Sequence, residues 1–535
     1  MPIKKKYPVG IQSFESIRQD GYLYIDKTPL IYKMLTEGKP YFLSRPRRFG
    51  KSLLVSTIAA IFEGRRELFD AFTTESGIVQ PQLFIAQSDW KWEKHPVIRF
   101  DFSAGDFQTI EELDTLIDQT LKRYERRYGI TAEVSDTNIR MAQLLRTAHY
   151  QTGKRVVVLV DEYDNFILHA LGDSEKVAMA RSRFQNVFGP LKAEDDHLQF
   201  VFVTGISKFS QMGIFSKLNN LQDISMTPAY DTLCGISEQE LVTQMRSDIE
   251  LLGEANGLSY DDQLSELKHT YDGYHFSRRM TDIYNPFSLM YAFSTQETGH
   301  YWFASGTSRA VIDMLAQMPP ISITQINEVH CEANVFNNAF DSYATPLPLL
   351  YQSGYLTIKE YDRDLDDYTL GFPNMEVRQG FCDCLYQHIT HRQFTTDEDK
   401  SQLLRAYKMF RRNSDLTSFI EAIKTFLAGL PYQWEHDNRN EHFYHALLYT
   451  LLTSFGADVS AEESTAKGDS DLVLRMPKYI YVIELKYDQS AQEALDQIEE
   501  RGYAEKYGSD GRPVVKVGVA FSSEARNITE WKVVH

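Results

Sequence analysis

Three consecutive residues, Gly50, Lys51 and Ser52, have the types and the order that bind the phosphates of a nucleotide. Residues 41–44 before them are typical of a strand, and an apolar helix face is predicted after them. In that context backbone N–H groups point at phosphate oxygens, Lys51 reaches the β- and γ-phosphates, and Ser52 offers its hydroxyl to Mg²⁺. The segment therefore predicts a phosphate-binding loop, although Arg45 stands where such a loop usually has its first glycine.

A second acidic element follows the aliphatic run 156–160, which is typical of a buried strand. We expect Asp161 to hold Mg²⁺ through its water shell and Glu162 to polarise the attacking water. Thr204, which ends the predicted strand 200–204, is placed to sense a γ-phosphate, although an ordinary strand end is equally compatible. The predicted ATP-contacting residues are Arg48, Phe49, Gly50, Lys51, Ser52, Leu53, Asp161 and Thr204, with Ser52 and Asp161 on the metal.

A third group of reactive side chains lies near the end of the chain. If Pro477 and Lys478 form the turn of a two-residue hairpin, Asp471 and Glu484 lie directly opposite each other, and Lys486 lies on the same face. Two such carboxylates can share a divalent metal, and the lysine can stabilise the charge that develops on a phosphate. By spacing alone, an exposed hairpin with a Glu/Lys pair is the simpler interpretation.

The elements that must position these groups alternate between strands and helices in the first part of the chain. Strands are predicted at 41–44, 97–102, 156–160 and 200–204, which indicates an α/β domain with a mainly parallel sheet. Residues 237–275 are predicted to be helical, 355–370 to contain a hairpin and 401–430 to be helical again. The end of the chain is predicted to run helix, hairpin, helix, strand.

Several stretches resemble the bacterial AAA-ATPase-like family whose members carry a C-terminal domain of the PD-(D/E)XK nuclease superfamily. They cover nearly the whole chain and lie at residues 10–14, 24–28, 45–52, 161–164, 204–208, 215–220, 271–274, 285–287 and 373–377. In this family an arginine at position 45 is the usual variant. The resemblance implies an AAA-like P-loop ATPase core at 1–230, a helical lid and middle region at 231–400, a helical connector at 401–430 and a nuclease-like α/β domain at 431–535.

The same resemblance assigns roles within the last domain. Asp471, Glu484 and Lys486 match its D…E-x-K arrangement, and Glu441 is where the fold often places a further acidic metal ligand. Gln497 and Tyr503 match its Q-x-x-x-x-x-Y pattern. Asp469 is a departure, because the family usually has an arginine there, and a phosphate-facing positive charge is replaced by a negative one.

Composition limits the classes of protein to which the chain can belong. Its 535 residues carry a net charge of −18, which is unlike a general nucleic-acid binder and would require a local basic patch or a metal for such contact. The four cysteines are too few for a disulfide framework. No signal peptide or membrane helix is predicted, so we expect a cytoplasmic, bacterial protein without membrane contact. The sequence does not decide between a monomer and a homo-oligomer.

These observations predict an ATP-binding, ATP-hydrolysing protein coupled to a Mg²⁺- or Mn²⁺-dependent nuclease-like domain that acts on DNA or RNA. The pairing of the two domains suggests defence against foreign nucleic acid. Two alternatives stay open. In one, the nuclease-like domain only binds nucleic acid or a partner; in the other, the chain is a regulatory ATPase scaffold whose last domain mediates protein contacts.

Overall fold

The computed structural model of the chain describes most of its 535 residues. The described residues are 5–103, 109–131, 134–170, 173–208, 220–304, 326, 328–336, 347–390, 398–430, 441–465 and 468–535. Of the family-like stretches, residues 215–219 lie outside this set. No helix within it has the length and apolar character needed to cross a membrane.

The chain folds into two compact units, which are described separately below. The first comprises residues 1–311 and 330–376, and the second comprises residues 312–329 and 377–535. The four-part division expected from the sequence stays a prediction.

A five-stranded parallel sheet is the centre of the first unit. Its strands lie in the order β4-β5-β6-β1-β7, so that the ends of β1 and β5 meet at the same edge. The four predicted strands are confirmed, whereas the short edge strand β7 was missed. The strands in this part of the chain are β1 Pro40–Ser44, β2 Phe72–Thr73, β3 Val79–Gln80, β4 Val97–Asp101, β5 Val156–Asp161, β6 Leu198–Gly205 and β7 Gln222–Asp223.

Helices cover the sheet and close its core. Every residue of β5 is buried, because helices pack on both faces of a parallel sheet. The helices are α1 Phe14–Gln19, α2 Thr28–Glu37, α3 Lys51–Phe62, α4 Phe84–Gln87, α5 Ile110–Arg127, α6 Thr137–Thr152, α7 Asn165–His169, α8 Ser174–Phe188 and α9 Pro190–Ala193, with short 3₁₀ turns at Arg66–Leu68, Asp195–His197 and Pro228–Leu233.

The helical middle of the first unit agrees with the sequence pattern. Leu241, Met245, Ile249 and Leu252, whose spacing predicted helix, are all buried in one apolar cluster. The predicted hairpin forms as β11 and β12. The elements are β8 Ile236–Ser237, α10 Glu238–Gln244, α11 Arg246–Asn256, α12 Tyr260–Tyr271, β9 Ile283–Tyr284, α13 Pro286–Thr295, α14 Tyr301–Ala304, β10 Val329–Glu332, a 3₁₀ turn Ala333–Phe336, α15 Leu347–Ser353, β11 Thr357–Asp362 and β12 Asp367–Gly371.

The second unit contains a five-stranded mixed sheet in the order β13-β14-β15-β16-β17. The predicted helix, hairpin, helix and strand are present, and two outer strands were missed. β13 is mostly polar and carries no clear alternation. The elements are α16 Met375–Thr390, which starts at the end of the first unit, α17 Glu398–Asn413, α18 Leu416–Ala428, α19 Glu441–Ser454, β13 Asp458–Thr465, β14 Gly468–Arg475, β15 Ile480–Tyr487, α20 Ala491–Arg501, a 3₁₀ turn Glu505–Tyr507, β16 Val514–Ser522 and β17 Asn527–Val534.

Candidate functional sites

The predicted phosphate-binding loop connects β1 to α3. Gly50 precedes the first turn of α3 with a φ of +90°, and Arg48 has a φ of +69°, so that the loop contains two left-handed residues. A glycine adopts this conformation without strain. The loop lines a cavity of about 580 Å³ in the first unit. Of the predicted site residues, the cavity is lined by Arg48, Phe49, Gly50, Lys51, Ser52, Leu53 and Glu162.

An ion pair joins the loop to the end of β5. The Lys51 ammonium lies 3.2 Å from Oε1 of Glu162 and also donates to the carbonyl of Pro46 at 3.2 Å. Lys51 is buried, so its charge needs this partner. Glu162 itself has a φ of +50°, which is a strained conformation for a residue with a side chain. The two residues predicted to act on phosphate and on water are thus in direct contact.

The carboxylate of Asp161 is buried, and few hydrogen bonds or positive charges offset its loss of contact with water. Only 1% of the residue is exposed, and neither carboxylate oxygen has a hydrogen-bond partner among the described residues. Burial raises the pKa of Asp161 to about 7, and the charge of Glu162 adds to the rise, while Ser52 and Lys51 oppose it. Orphaned carboxylate oxygens beside a serine hydroxyl suit a hard divalent cation. The residues present therefore fit the predicted Mg²⁺, although Asp161 does not itself line the cavity.

Thr204 lies at the end of β6 but turns its hydroxyl to the backbone. The hydroxyl donates to the carbonyl of Leu43 at 2.8 Å, and the residue is fully buried. The next residue, Gly205, approaches Asp164 so closely that a Cβ would lie 2.4 Å from its Oδ1. Asp164 accepts from the Ser207 N–H at 2.6 Å. Residues 161–164 and 204–208 therefore hold each other in place, and the role of Thr204 as a phosphate sensor stays a prediction.

Arg45 is a structural residue rather than an exposed loop side chain. Its buried guanidinium donates to the carbonyls of Ser225 at 2.7 Å and Tyr230 at 3.2 Å, and lies 4.1 Å from the centre of the Phe276 ring. These contacts anchor the chain that follows β7 to the start of the loop. They explain why an arginine occupies the position of the first glycine.

Further residues, which were not predicted from the sequence, line the same cavity. Lys27 is one of them, and its ammonium lies 2.6 and 2.7 Å from the two carboxylate oxygens of Glu240. Arg47 and Cys234 are also in the lining. Lys27 belongs to a stretch that carries the family resemblance, which was the available signal, but the sequence alone gives no indication that it faces the loop.

In the second unit, the hairpin forms in the predicted register. Leu472 pairs with Ile483, and the ladder continues in this register to the end of the hairpin. The N–H of Met476 donates to the carbonyl of Tyr479 at 2.9 Å, which closes a turn of two residues. The predicted turn at positions 477 and 478 is therefore confirmed.

This register brings the three reactive side chains together. Oδ2 of Asp471 accepts from the N–H of Leu485 at 2.7 Å, and the Asp471 N–H lies 3.4 Å from Oε2 of Glu484. The Lys486 ammonium lies 3.4 Å from Oε1 of Glu484. Burial raises the pKa of both carboxyls, and the charge of Asp471 raises that of Glu484 further. A buried and a half-buried carboxylate, both with raised pKa values, beside one lysine fit a divalent metal.

Helix α19 supplies two neighbours of this pair. Nε2 of His445 lies 2.7 Å from the carbonyl oxygen of Asp471, so this histidine positions the strand. Glu441 begins the helix, and its charge contributes to the raised pKa of Asp471. Among the described residues, the carboxylate oxygens of Glu441, Asp471 and Glu484 do not all lie within 4.8 Å of one another. Its role as a further ligand stays a prediction.

Comparisons with known proteins place two families in the chain. Residues 8–215 match the family described as predicted AAA-ATPase, and residues 439–531 match the PD-(D/E)XK nuclease superfamily. The chain is also similar to a protein of Azotobacter chroococcum mcd 1 described as an uncharacterized protein in the vnfD 5′ region. The two are 33% identical over 540 residues, which span 99% of each chain. The resemblance seen in the motifs is confirmed.

Replacement of Arg45 should destabilise the first unit. Arg45→Ala removes three charge-assisted hydrogen bonds, to the carbonyls of Ser44, Ser225 and Tyr230, which costs about 2–4 kcal/mol. We expect a melting temperature several degrees lower. Arg66→Ala, which removes an exposed arginine, should change it little. Equal melting temperatures for the two variants would contradict a structural role for Arg45.

The buried charge of Asp161 should make stability depend on pH. A carboxyl whose pKa rises to about 7 on folding is destabilised as its ionised form is populated, so the loss grows between pH 4 and pH 7. At pH 8 Asp161→Asn should therefore have a free energy of unfolding up to about 4 kcal/mol larger than that of the wild type, and a higher melting temperature. This gain in stability should shrink toward pH 5. Asp261→Asn, at an exposed position, is the control. An advantage that does not vary with pH would refute this account.

Proposed function

The chain belongs to the AAA-ATPase-like proteins that carry a C-terminal domain of the PD-(D/E)XK nuclease superfamily, and we propose that it binds and hydrolyses ATP to control a metal-dependent nuclease. The observation that carries the proposal is the ion pair between Lys51 and Glu162 in the 580 Å³ cavity. This pair brings together, in one site, the lysine that we propose to bind phosphate and the carboxylate that we propose to activate water.

The ion pair gives the first unit a mechanism for coupling binding to catalysis. The β- and γ-phosphates of ATP attract the Lys51 ammonium more strongly than a single carboxylate does, and so compete with Glu162 for it. Glu162 is then free to orient a water molecule and to accept its proton. Nucleotide binding itself therefore prepares the general base.

The other residues of the cavity bind and orient the nucleotide. Backbone N–H groups from Arg48 to Leu53 face the phosphates at the start of α3, where the helix dipole favours negative charge. Arg47 adds positive charge to the cavity lining, which favours a triphosphate despite the acidic chain, whereas the charge of Lys27 is compensated by Glu240. Ser52 and Asp161 would hold Mg²⁺, which when bound neutralises phosphate charge.

In the second unit, Asp471 and Glu484 are the proposed metal ligands, with Glu441 as a further acidic group nearby. A divalent metal held by these residues would act as a Lewis acid toward the phosphodiester and would lower the pKa of bound water. Lys486 stabilises the negative charge that develops on the phosphate. His445 holds the backbone of Asp471 and so keeps its carboxylate in register with Glu484.

We propose DNA or RNA as the substrate of this unit, and defence against foreign nucleic acid as the setting in which an ATP-controlled nuclease acts. One observation favours a second candidate function, a domain that binds nucleic acid or a partner without cleaving it. Asp469, two residues before Asp471, is exposed and acidic where the superfamily usually has an arginine. It weakens the attraction of phosphate at the site.

Two substitutions in the first unit separate ATP binding from hydrolysis. Lys51→Ala should abolish the rise in melting temperature that ATP produces, since its ammonium offsets the phosphate charge. Glu162→Gln should retain that rise but slow hydrolysis about 100-fold or more, because the amide cannot accept a proton. Lys33→Ala, at an exposed lysine, should leave both unchanged. An undiminished ATP shift in Lys51→Ala would remove Lys51 from the site, and undiminished turnover in Glu162→Gln would exclude it as the base.

Two substitutions in the second unit separate metal binding from cleavage. Asp471→Asn should abolish the stabilisation of the second unit by Mn²⁺, measured as a change in its melting temperature. Lys486→Ala should keep it but eliminate cleavage of labelled DNA and RNA, because the lysine is not a metal ligand. Lys478→Ala changes an exposed lysine in the turn of the same hairpin and is the control. Cleavage by Lys486→Ala at the wild-type rate would contradict the assignment, and a wild type that binds but does not cleave would support the second candidate function.

A further inference from the structure

Three carboxylates meet in the first unit, away from the nucleotide cavity. Glu238 is the first residue of α10, Asp272 immediately follows α12, and Asp282 immediately precedes β9. One oxygen from each lies within 4.8 Å of the others. None of the three lines the 580 Å³ cavity.

Asp272 is the least compensated member of the cluster. Only 2% of it is exposed, and neither of its oxygens accepts a hydrogen bond from a described residue. Its position at the C-terminus of α12 sets its charge beside the negative end of the helix dipole, which is unfavourable. The hydroxyl of Tyr284 is also buried without a hydrogen-bond partner in the described part of the chain; burial raises its pKa, and the charges of all three carboxylates add to the rise. A cation close to such a buried carboxylate is therefore stabilising.

The protein's own cations compensate the other two carboxylates better. The Lys268 ammonium lies 2.7 Å from Glu238 and 3.5 Å from Asp282, but 4.0 Å from Asp272. His275 contributes a 2.8 Å contact between its Nε2 and Oδ1 of Asp282. Since the Lys268 side chain is 47% exposed, it can leave the cluster for solvent without losing a buried position.

A second lysine, Lys359, lies near the cluster without neutralising it. Its ammonium donates to the carbonyl of Pro373 at 3.0 Å. Burial lowers the pKa of Lys359 to about 8, and the charges of Asp272 and Asp282 oppose this shift. The charges of the cluster therefore act on Lys359 from a distance, and Lys359 makes no hydrogen bond with these carboxylates.

We propose that Glu238, Asp272 and Asp282 form a binding site for one calcium-sized divalent cation, which takes the place of the Lys268 ammonium. Carboxylate oxygens are the preferred ligands of such ions. Three protein carboxylates within 4.8 Å of one another suit Ca²⁺ better than Mg²⁺, because Ca²⁺ accepts several carboxylates in flexible geometry whereas Mg²⁺ usually keeps several of its waters.

The site would fasten three elements of the helical middle. β8, which leads into Glu238, pairs with β9, which follows Asp282. The chain just before β8, at Cys234 and Gly235, lines the nucleotide cavity. A bound ion would thus stiffen one wall of that cavity, independently of any metal that accompanies ATP.

The test is calorimetric titration of the full chain with Ca²⁺, without nucleotide. Asp471→Asn with Glu484→Gln provides the background, because it removes the metal ligands proposed for the second unit. We expect this protein to bind one Ca²⁺ with a rise in melting temperature, and Mg²⁺ to bind more weakly. Adding Asp272→Asn should abolish both the heat of binding and the rise. Glu238→Gln, at a partly exposed helix start, provides a second variant with little risk to folding and should weaken binding at least tenfold.

Lys268→Met distinguishes a metal site from a cluster that the lysine alone satisfies. If the ammonium and the ion compete, the variant should bind Ca²⁺ at least threefold more tightly than the background. Lys122→Met removes another half-exposed lysine that is paired with an aspartate and should not change the affinity. Absence of Ca²⁺ binding to the folded background protein, unchanged binding in Asp272→Asn, or equal affinity for Mg²⁺ would each overturn the proposal.

Discussion

Buried carboxylates that lack full compensation are the constraint on which the functional parts of both units depend. Asp161 lies at the end of a parallel strand, and Glu484 lies in the middle of a sheet. Taking such a charge out of water is costly unless a cation or several hydrogen-bond donors replace the water. The packing of strands and helices offsets the free-energy cost of burying these carboxylates. A cation bound at either position would therefore be stabilising.

The same constraint explains how the nearby backbone is arranged. Glu162 adopts a left-handed conformation directly after Asp161, and its side chain turns to Lys51. Asp164 instead receives N–H groups from the chain after β6, and a glycine at 205 makes room for this approach. Three acidic residues within four positions thus have three different surroundings: Glu162 faces a lysine, Asp164 accepts from backbone N–H groups, and Asp161 is buried without a hydrogen-bond partner among the described residues.

The sequence predicted those parts that depend on local rules. The loop between β1 and α3 was predictable from the order of residue types. The pairing of β14 with β15 was predictable because a two-residue turn fixes which positions of the two strands lie opposite each other. Strands made of aliphatic runs, such as β5, were also predictable, since both of their faces are buried. The alternation of strands and helices was sufficient for the fold class.

What could not be predicted depends on contacts between distant residues. Nothing local to Arg45 reveals that its guanidinium binds carbonyls about 180 positions away, and nothing local to Thr204 reveals that its hydroxyl is used by Leu43. Lys27 and Glu240 meet only after the middle helices have packed. β13 was not predicted because its own sequence lacks a strand pattern; its strand conformation depends on pairing with β14.

The two-residue turn between β14 and β15 restricts how this domain can change over evolutionary time. Side chains alternate between the faces of a strand, so one inserted residue in the turn would shift the pairing and separate Glu484 from Asp471. β15 cannot slide to absorb the insertion, because eight parallel pairs fix it to β16. Side chains in the turn are free to vary, since both are exposed. The hairpin therefore tolerates substitutions at its tip far better than changes in length.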